Sequence, residues 1–226
     1  WGKVASIAAG VLMAGSAQAL PGLDAEIGAR YWSADSSGDI ASGGRDIATD
    51  GDLGFDRQGN PSLHARLGLP LVVLDAEYTR LDYSGRTRGR TFQFSGQTFS
   101  TSGQRTEFEA EIIHGGAMLN LPLPVLDVGL GVGATRFDGE ARIGSQRESG
   151  DITIPVAKGE IRAAFPGLPV NASLRGQGLG YDGDSFYDIT AELGVVWGPL
   201  QVRGGYRRLA IDFDDDSFEG DVTFEG

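Results

Sequence analysis

The chain of 226 residues holds two histidines, His64 and His114, and no cysteine. Histidine changes charge near neutral pH, so these positions are where acid–base or nucleophilic chemistry would be sought first. Ser62-Leu63-His64 sets a hydroxyl two residues from an imidazole, on one face if the segment is a strand. Hydrolysis would also need oxyanion donors and a position that meets the substrate. His64 shares parity with Ser62 and Arg66, not with apolar Leu63, Ala65 and Leu67. It therefore reads as a hydrogen-bonded histidine among polar neighbours. No His-Asp dipeptide occurs, and no enzyme is expected.

Three other clusters carry potential chemistry. Asp212, Asp214 and Asp216 begin with EF-hand spacing, but Ser217 stands where that loop needs glycine and Thr223 where it needs the last ligand. A solvated acidic loop is expected, with weak divalent-cation binding as the alternative; no cofactor is called for. Gly129, Gly131 and Gly133 alternate along one face with no helix following, so they make room for large neighbours and do not cradle a phosphate. Arg80, Arg86, Arg88 and Arg90 share one parity, and guanidinium groups so placed can bind phosphates bidentately.

The elements that must position these residues are strands. Glu107, Glu109 and Glu111 alternate with Phe108, Ala110 and Ile112, a dyad repeat with one polar and one apolar face. The same sorting recurs in eight more segments. Leu23, Ala25, Ile27, Ala29 and Tyr31 oppose Asp24, Glu26 and Arg30, and Tyr187, Ile189, Ala191, Leu193, Val195 and Trp197 oppose Asp188, Thr190 and Glu192. Segments of about ten residues with this repeat match tilted strands that cross a bilayer, their apolar face toward lipid. The expected fold is all-β: an antiparallel up-and-down transmembrane barrel of about ten strands. The tenth begins near Asp221 and is truncated at Gly226.

Tight Pro/Gly turns at 69–70, 121–124, 165–169 and 197–200 alternate with longer polar segments near 34–59, 84–104, 138–151, 181–185 and 211–220. The short side is expected to be periplasmic. Residues 1–19 read as a secretory signal ending Ala17-Gln18-Ala19, leaving 20–226 as the barrel domain. The formal charge of −12 argues against nucleic acid. The polar face of the strands is nearly balanced, which suits a narrow interior. Its expected network is Arg30, Arg66, Glu77, Asp127, Glu160, Arg162, Arg175, Glu192, Arg203 and Arg207. The strand at 107–120 fits two registers. A bulge at Gly115-Gly116 would reconcile them; otherwise the glutamates stand above the bilayer.

LGFDRQGNPSLHARLGLPLVVLDAEYTRLDYSG, LPLPVLDVGLGVGATRFDG and GPLQVRGGYRRLAIDF resemble a family of small, functionally uncharacterised Gram-negative outer-membrane β-barrels. The resemblance implies a signal peptide, an outer-membrane address and a closing strand that ends in an aromatic residue, whereas this sequence stops at Glu225-Gly226. The expected function is a non-enzymatic structural or surface-binding role through extracellular loops. The alternatives are a narrow channel for small polar solutes or ions, then a barrel hydrolase (lipid A deacylase or protease). Expected partners are outer-membrane lipid, lipopolysaccharide at Arg80, Arg86, Arg88 and Arg90, and the barrel-assembly machinery, with the chain itself a monomer.

Overall fold

The computed structural model describes residues 15–16, 23–41, 46–48, 53, 55, 58–87, 92–94, 97–99, 103–181, 184–198, 200–215 and 218–226. Among these, ten long strands form one closed antiparallel sheet. They are β1 (Asp24–Ala41), β2 (Gln58–Gly68), β3 (Val72–Arg86), β4 (Arg105–Pro122), β5 (Leu126–Ile143), β6 (Gln146–Ala164), β7 (Val170–Tyr181), β8 (Asp184–Trp197), β9 (Leu200–Asp215) and β10 (Phe218–Glu225). Each pairs with its sequence neighbours, and β10 closes the ring on Asp35–Ala41 of β1. The fold is an all-β up-and-down barrel. Gly15–Ser16 pairs with Glu26 and Ile27 of β1; the rest of the expected signal, 1–14 and 17–19, lies outside the described residues.

Tight connections hold one end, hereafter the turn end. Backbone bonds close them, Leu69 N–H to Val72 O at 2.7 Å and Leu123 N–H to Leu126 O at 2.7 Å. Gly167 and Gly198 adopt φ of +80° and +61° there, values that favour glycine. At the opposite, hairpin end the strands run much further than the ten or so residues expected. The polar segment at 138–151 is strand: β5 and β6 stay paired up to Ile143 and Gln146, joined by Gly144-Ser145 with Gly144 at φ +60°. Likewise β7 pairs with β8 up to Tyr181 and Asp184, and β9 with β10 up to Asp215 and Phe218. The acidic run at 212–215 is therefore strand and not a loop that could wrap a cation; Asp216 and Ser217 lie outside the described residues, as do Asp50, Asp52 and Asp56.

The physical reason for the longer strands is a reversal of polarity without a change of parity. On β3, Leu74, Ala76 and Tyr78 point outward and Asp75, Glu77 and Thr79 inward. From the very next positions Arg80, Asp82 and Ser84 point outward, and Leu81 and Tyr83 are buried inside. On β4, Ile113, Ala117 and Leu119 face out below, Glu107, Glu109 and Glu111 face out above, and Ala110 and Ile112 are buried within. The ladder from β4 to both neighbours is continuous through Gly115 and Gly116. There is no bulge; the glutamates stand above the apolar band, and His114 and Met118 point inward. The apolar face of 107–112, expected toward lipid, instead packs on a core.

That core fills the hairpin-end half of the barrel with Trp32, Ala34, Leu81, Tyr83, Ala110, Ile112, Val156, Phe186, Leu209 and Phe224. Phe108 and Phe224 stack with centroids 6.1 Å apart, Tyr83 lies 5.3 Å from Phe224, and Phe137 meets Phe186 edge-on at 5.2 Å. Two of its aromatic residues also form hydrogen bonds. The Tyr83 hydroxyl donates to Ala34 O at 3.3 Å and accepts from Asn60 Nδ2 at 3.1 Å. The Trp32 indole donates to Gly226 O at 3.2 Å. Burial pushes the Tyr83 phenol well above its ordinary range. Tyr83→Ala should cost about 3–5 kcal/mol and Ile112→Ala about 2–5 kcal/mol in reversible urea unfolding, against less than about 0.5 kcal/mol for outward Ser84→Ala. Equal midpoints for all three would mean that this half of the barrel is not packed.

Candidate functional site

Below the apolar core the interior is charged. Each strand contributes inward positions two residues apart, so cations and carboxylates from different strands meet at one level. Arg30 contacts Glu77 at 2.6 Å and Glu192 at 2.9 Å. Arg162 reaches Glu160 at 2.7 Å and Glu26 at 3.2 Å, and Arg203 reaches Glu26 at 2.8 Å. Arg66 lies 3.4 Å from Glu160, Arg175 3.6 Å from Glu192, and Lys158 is bonded to Asp75. Arg207 is the junction. It clasps Asp188 bidentately at 3.0 and 2.7 Å, meets Glu77 at 2.9 Å, donates to Thr79 at 3.1 Å and lies 5.0 Å from the Trp32 ring centre. It thereby joins the charged layer to the apolar one.

Among the described residues Asp127 has no ion-pair partner; it sits half-buried at the turn end, opposite Arg162 in register. Glu26, Asp75, Lys158 and Asp188, present in the charge balance of the polar face, prove to be full members, as does His114, whose side could not be read from its ambiguous strand. The glycines on β5 leave room across the wall. A Cβ at Gly131 would lie 2.0 Å from Ala117 O, and one at Gly133 would lie 3.0 Å from Lys158 Cδ. A cavity of about 50 Å³ remains, lined by His64, Asp75, Glu77, His114, Lys158 and Asp188 among others. It has space for a few waters.

Neither histidine is placed for hydrolysis. His64 Nε2 bonds Glu26 at 3.1 Å, and the Ser62 hydroxyl makes no bond to it. His114 Nδ1 meets Thr135 Oγ1 at 2.7 Å and its Nε2 lies 3.4 Å from Asp188. This hydroxyl–imidazole–carboxylate series has the order of a catalytic relay. Thr135 is fully buried, however, and the buried Phe186 ring stacks on His114 at 6.3 Å, so no substrate carbonyl can approach.

On the outer surface, tyrosines mark the level where polarity reverses. Tyr78 donates to Glu111 at 3.0 Å and Tyr206 to Glu225 at 2.7 Å, while the Arg208 guanidinium lies 5.8 Å from the Tyr187 ring. Just above them runs a belt of opposed charges: Arg80 with Glu109 at 3.2 Å, Arg136 with Asp151 at 3.3 Å, and Glu140 with Arg142 and Arg147. Arg80 and Arg86 both face outward and are exposed. Arg88 and Arg90 lie outside the described residues.

Removing one partner of a buried pair strands the other in low dielectric. Arg207→Ala should therefore cost about 3–5 kcal/mol in unfolding experiments in lipid. Arg80→Ala, at an exposed pair, should cost less than about 1 kcal/mol. Similar losses for the two would show the interior to be as wet as the surface.

No family model matches the chain, and no curated protein matches it. Among solved structures, the chain is similar to Ail, the attachment invasion locus protein of Yersinia pestis, at 10% identity and a TM-score of 0.33, covering 91% of this chain and 99% of that one. The same protein in complex with the heparin analogue sucrose octasulfate gives a TM-score of 0.32 at 10% identity, over 89% and 97% of the two chains. At these scores the likeness carries no argument about what this chain binds.

Proposed function

We propose that the chain is an integral outer-membrane β-barrel with a closed interior, non-enzymatic, acting structurally or as a binding protein through its hairpin end. The observation that carries this reading is the paired reversal of polarity along the long strands, seen on β3 and β4. In the turn-end half, Ile27, Leu63, Leu74, Leu119, Leu130, Val132, Leu193 and Val202 are exposed on the outside while charges fill the inside. No aqueous solvent favours that arrangement; hydrocarbon does. In the other half, the outside is charged and the inside apolar, as in a protein standing in water. Export by the segment at 1–19 and insertion by the barrel-assembly machinery belong to the same reading.

The apolar core sits across the barrel above the charged layer, with Leu81, Tyr83, Ile112 and Leu209 almost wholly buried. This favours a closed interior over the narrow channel. Refolded protein in planar bilayers should pass no resolvable ionic current up to the voltage at which the bilayer itself breaks. Steady single-channel steps would restore the channel reading.

Arg80, outward and two residues above Tyr78, and Arg86, six residues further along the same face, would bind lipopolysaccharide phosphates through their guanidinium groups. Arg80 already has Glu109 as a partner, so the contact requires the guanidinium to serve both. The double variant Arg80→Ser/Arg86→Ser should retain less co-purifying lipopolysaccharide per barrel. An unchanged ratio would remove these residues from the lipid contact.

A further inference from the structure

The β4–β5–β6 sheet rises beyond its neighbour on one side only. β6 pairs with β5 along its whole length, but β7 pairs only with residues 157–164 of β6. Carrying that register on, Ile154 stands level with Tyr181, where β7 ends. Among the described residues nothing pairs with the second edge of residues 146–153, and residues 147–153 are exposed. A bare edge of this length is a template for another strand.

Three features fix what that strand is. Pro155, paired with Ala134 in an unbroken ladder, has no N–H, so its nitrogen must point away from β5. Arg147, Ser149, Asp151 and Thr153 share its parity and so turn their N–H and C=O groups to the free side. Arg147 and Asp151 lie symmetrically about Ser149, both on the outward face and of opposite charge. Charges on an edge ordinarily keep copies apart. Here a two-fold axis through Ser149 places Arg147 opposite Asp151 of the second copy, twice. With the existing bonds of Asp151 to Arg136 and of Arg147 to Glu140, four charges then alternate in sign across the seam. An axis through Gly150 sets Arg147 against Thr153, and one through Asp151 sets two carboxylates face to face. The Ser149 axis also brings the tip at Ser145 opposite Thr153, one step short of the end of β7.

We propose that the free edge of β6 pairs antiparallel with the same edge of a second copy, in register about Ser149, and that the two copies stand in facing membranes. The orientation follows from the symmetry. A two-fold relating antiparallel neighbours is normal to their sheet, and the sheet here is the barrel wall, so the axis lies in the membrane plane and inverts the second barrel. Within one membrane each barrel remains alone. The proposal rests on the outer-membrane surface reading above.

The chain has no cysteine, so Ser149→Cys supplies a single thiol. Directly opposed hydrogen-bonded residues have Cα atoms about 5.5 Å apart, within disulfide range. Cells displaying this variant with one of two epitope tags are prepared separately, treated with a membrane-impermeant thiol label in one portion, and mixed and mildly oxidised in another. Disulfide dimers bearing both tags are expected. Gly150→Cys, on the other face and in open space, should give at least about tenfold fewer. Adding Arg147→Asp to Ser149→Cys should lower the yield about tenfold, and Asp151→Arg on top of it should restore the yield. If residue 149 takes no label, both this inference and the surface reading fail. Labelling without mixed-tag dimers, dimers of a single tag only, or a yield indifferent to Arg147→Asp would overturn the facing pair alone.

Discussion

Register governs this molecule. A strand in a closed sheet cannot slip by one residue without carrying every side chain through the wall. β4 shows how firmly that holds: it pairs with β3 from Arg105 to Leu119 and with β5 from Thr106 to Pro122, with no interruption. Because parity is conserved, the only variable along a strand is which chemistry occupies the inner and outer positions. Exchanging the two once, at the level of the tyrosines, divides the barrel into a half suited to hydrocarbon and a half suited to water.

The two halves depend on each other at their junction. Buried carboxylates and guanidinium groups are stable only when paired and kept from partial exposure. The apolar core seals them on one side, and Arg207 meets both layers, bound to Asp188 and Glu77 and lying 5.0 Å from the Trp32 ring centre. Glycines of β4 and β5 permit this density, since Lys158 crosses the space that side chains at 116 and 133 would occupy. A filled barrel offers its surroundings only its outside and its rim, which moves the search for function to the outer charge belt and the bare edge of β6.

The strand count and the inward side of most charges were legible in the sequence because alternation is imposed by the backbone itself. Tyr187 to Trp197 against Asp188, Thr190 and Glu192 needs no neighbour to be sorted. The extension beyond the tyrosines was not legible, because the apolar side of Phe108, Ala110 and Ile112 looks the same whether it meets lipid or a core. Glu107, Glu109 and Glu111 share the parity of Ile113 and Leu119, but in the sequence a bulge at Gly115-Gly116 fitted as well as one unbroken register, and only the continuous pairing of β4 decides between them. The run at 138–151 resembles a loop in composition, and only its pairing with β5 makes it strand. Which arginine meets which carboxylate was beyond reach, since partners such as Arg30 and Glu77 or Arg162 and Glu26 are 47 and 136 residues apart.

The height of the outward apolar band has its own consequence. On β5 it runs from Leu126 to Ala134, eight steps that at a usual strand rise and barrel tilt span about 20 Å. Hydrophobic mismatch would then act as an address: a bilayer with a hydrocarbon core of about 30 Å would have to thin around this wall or draw Arg136 and Asp138 into the acyl region, and a thinner membrane would accept it without distortion.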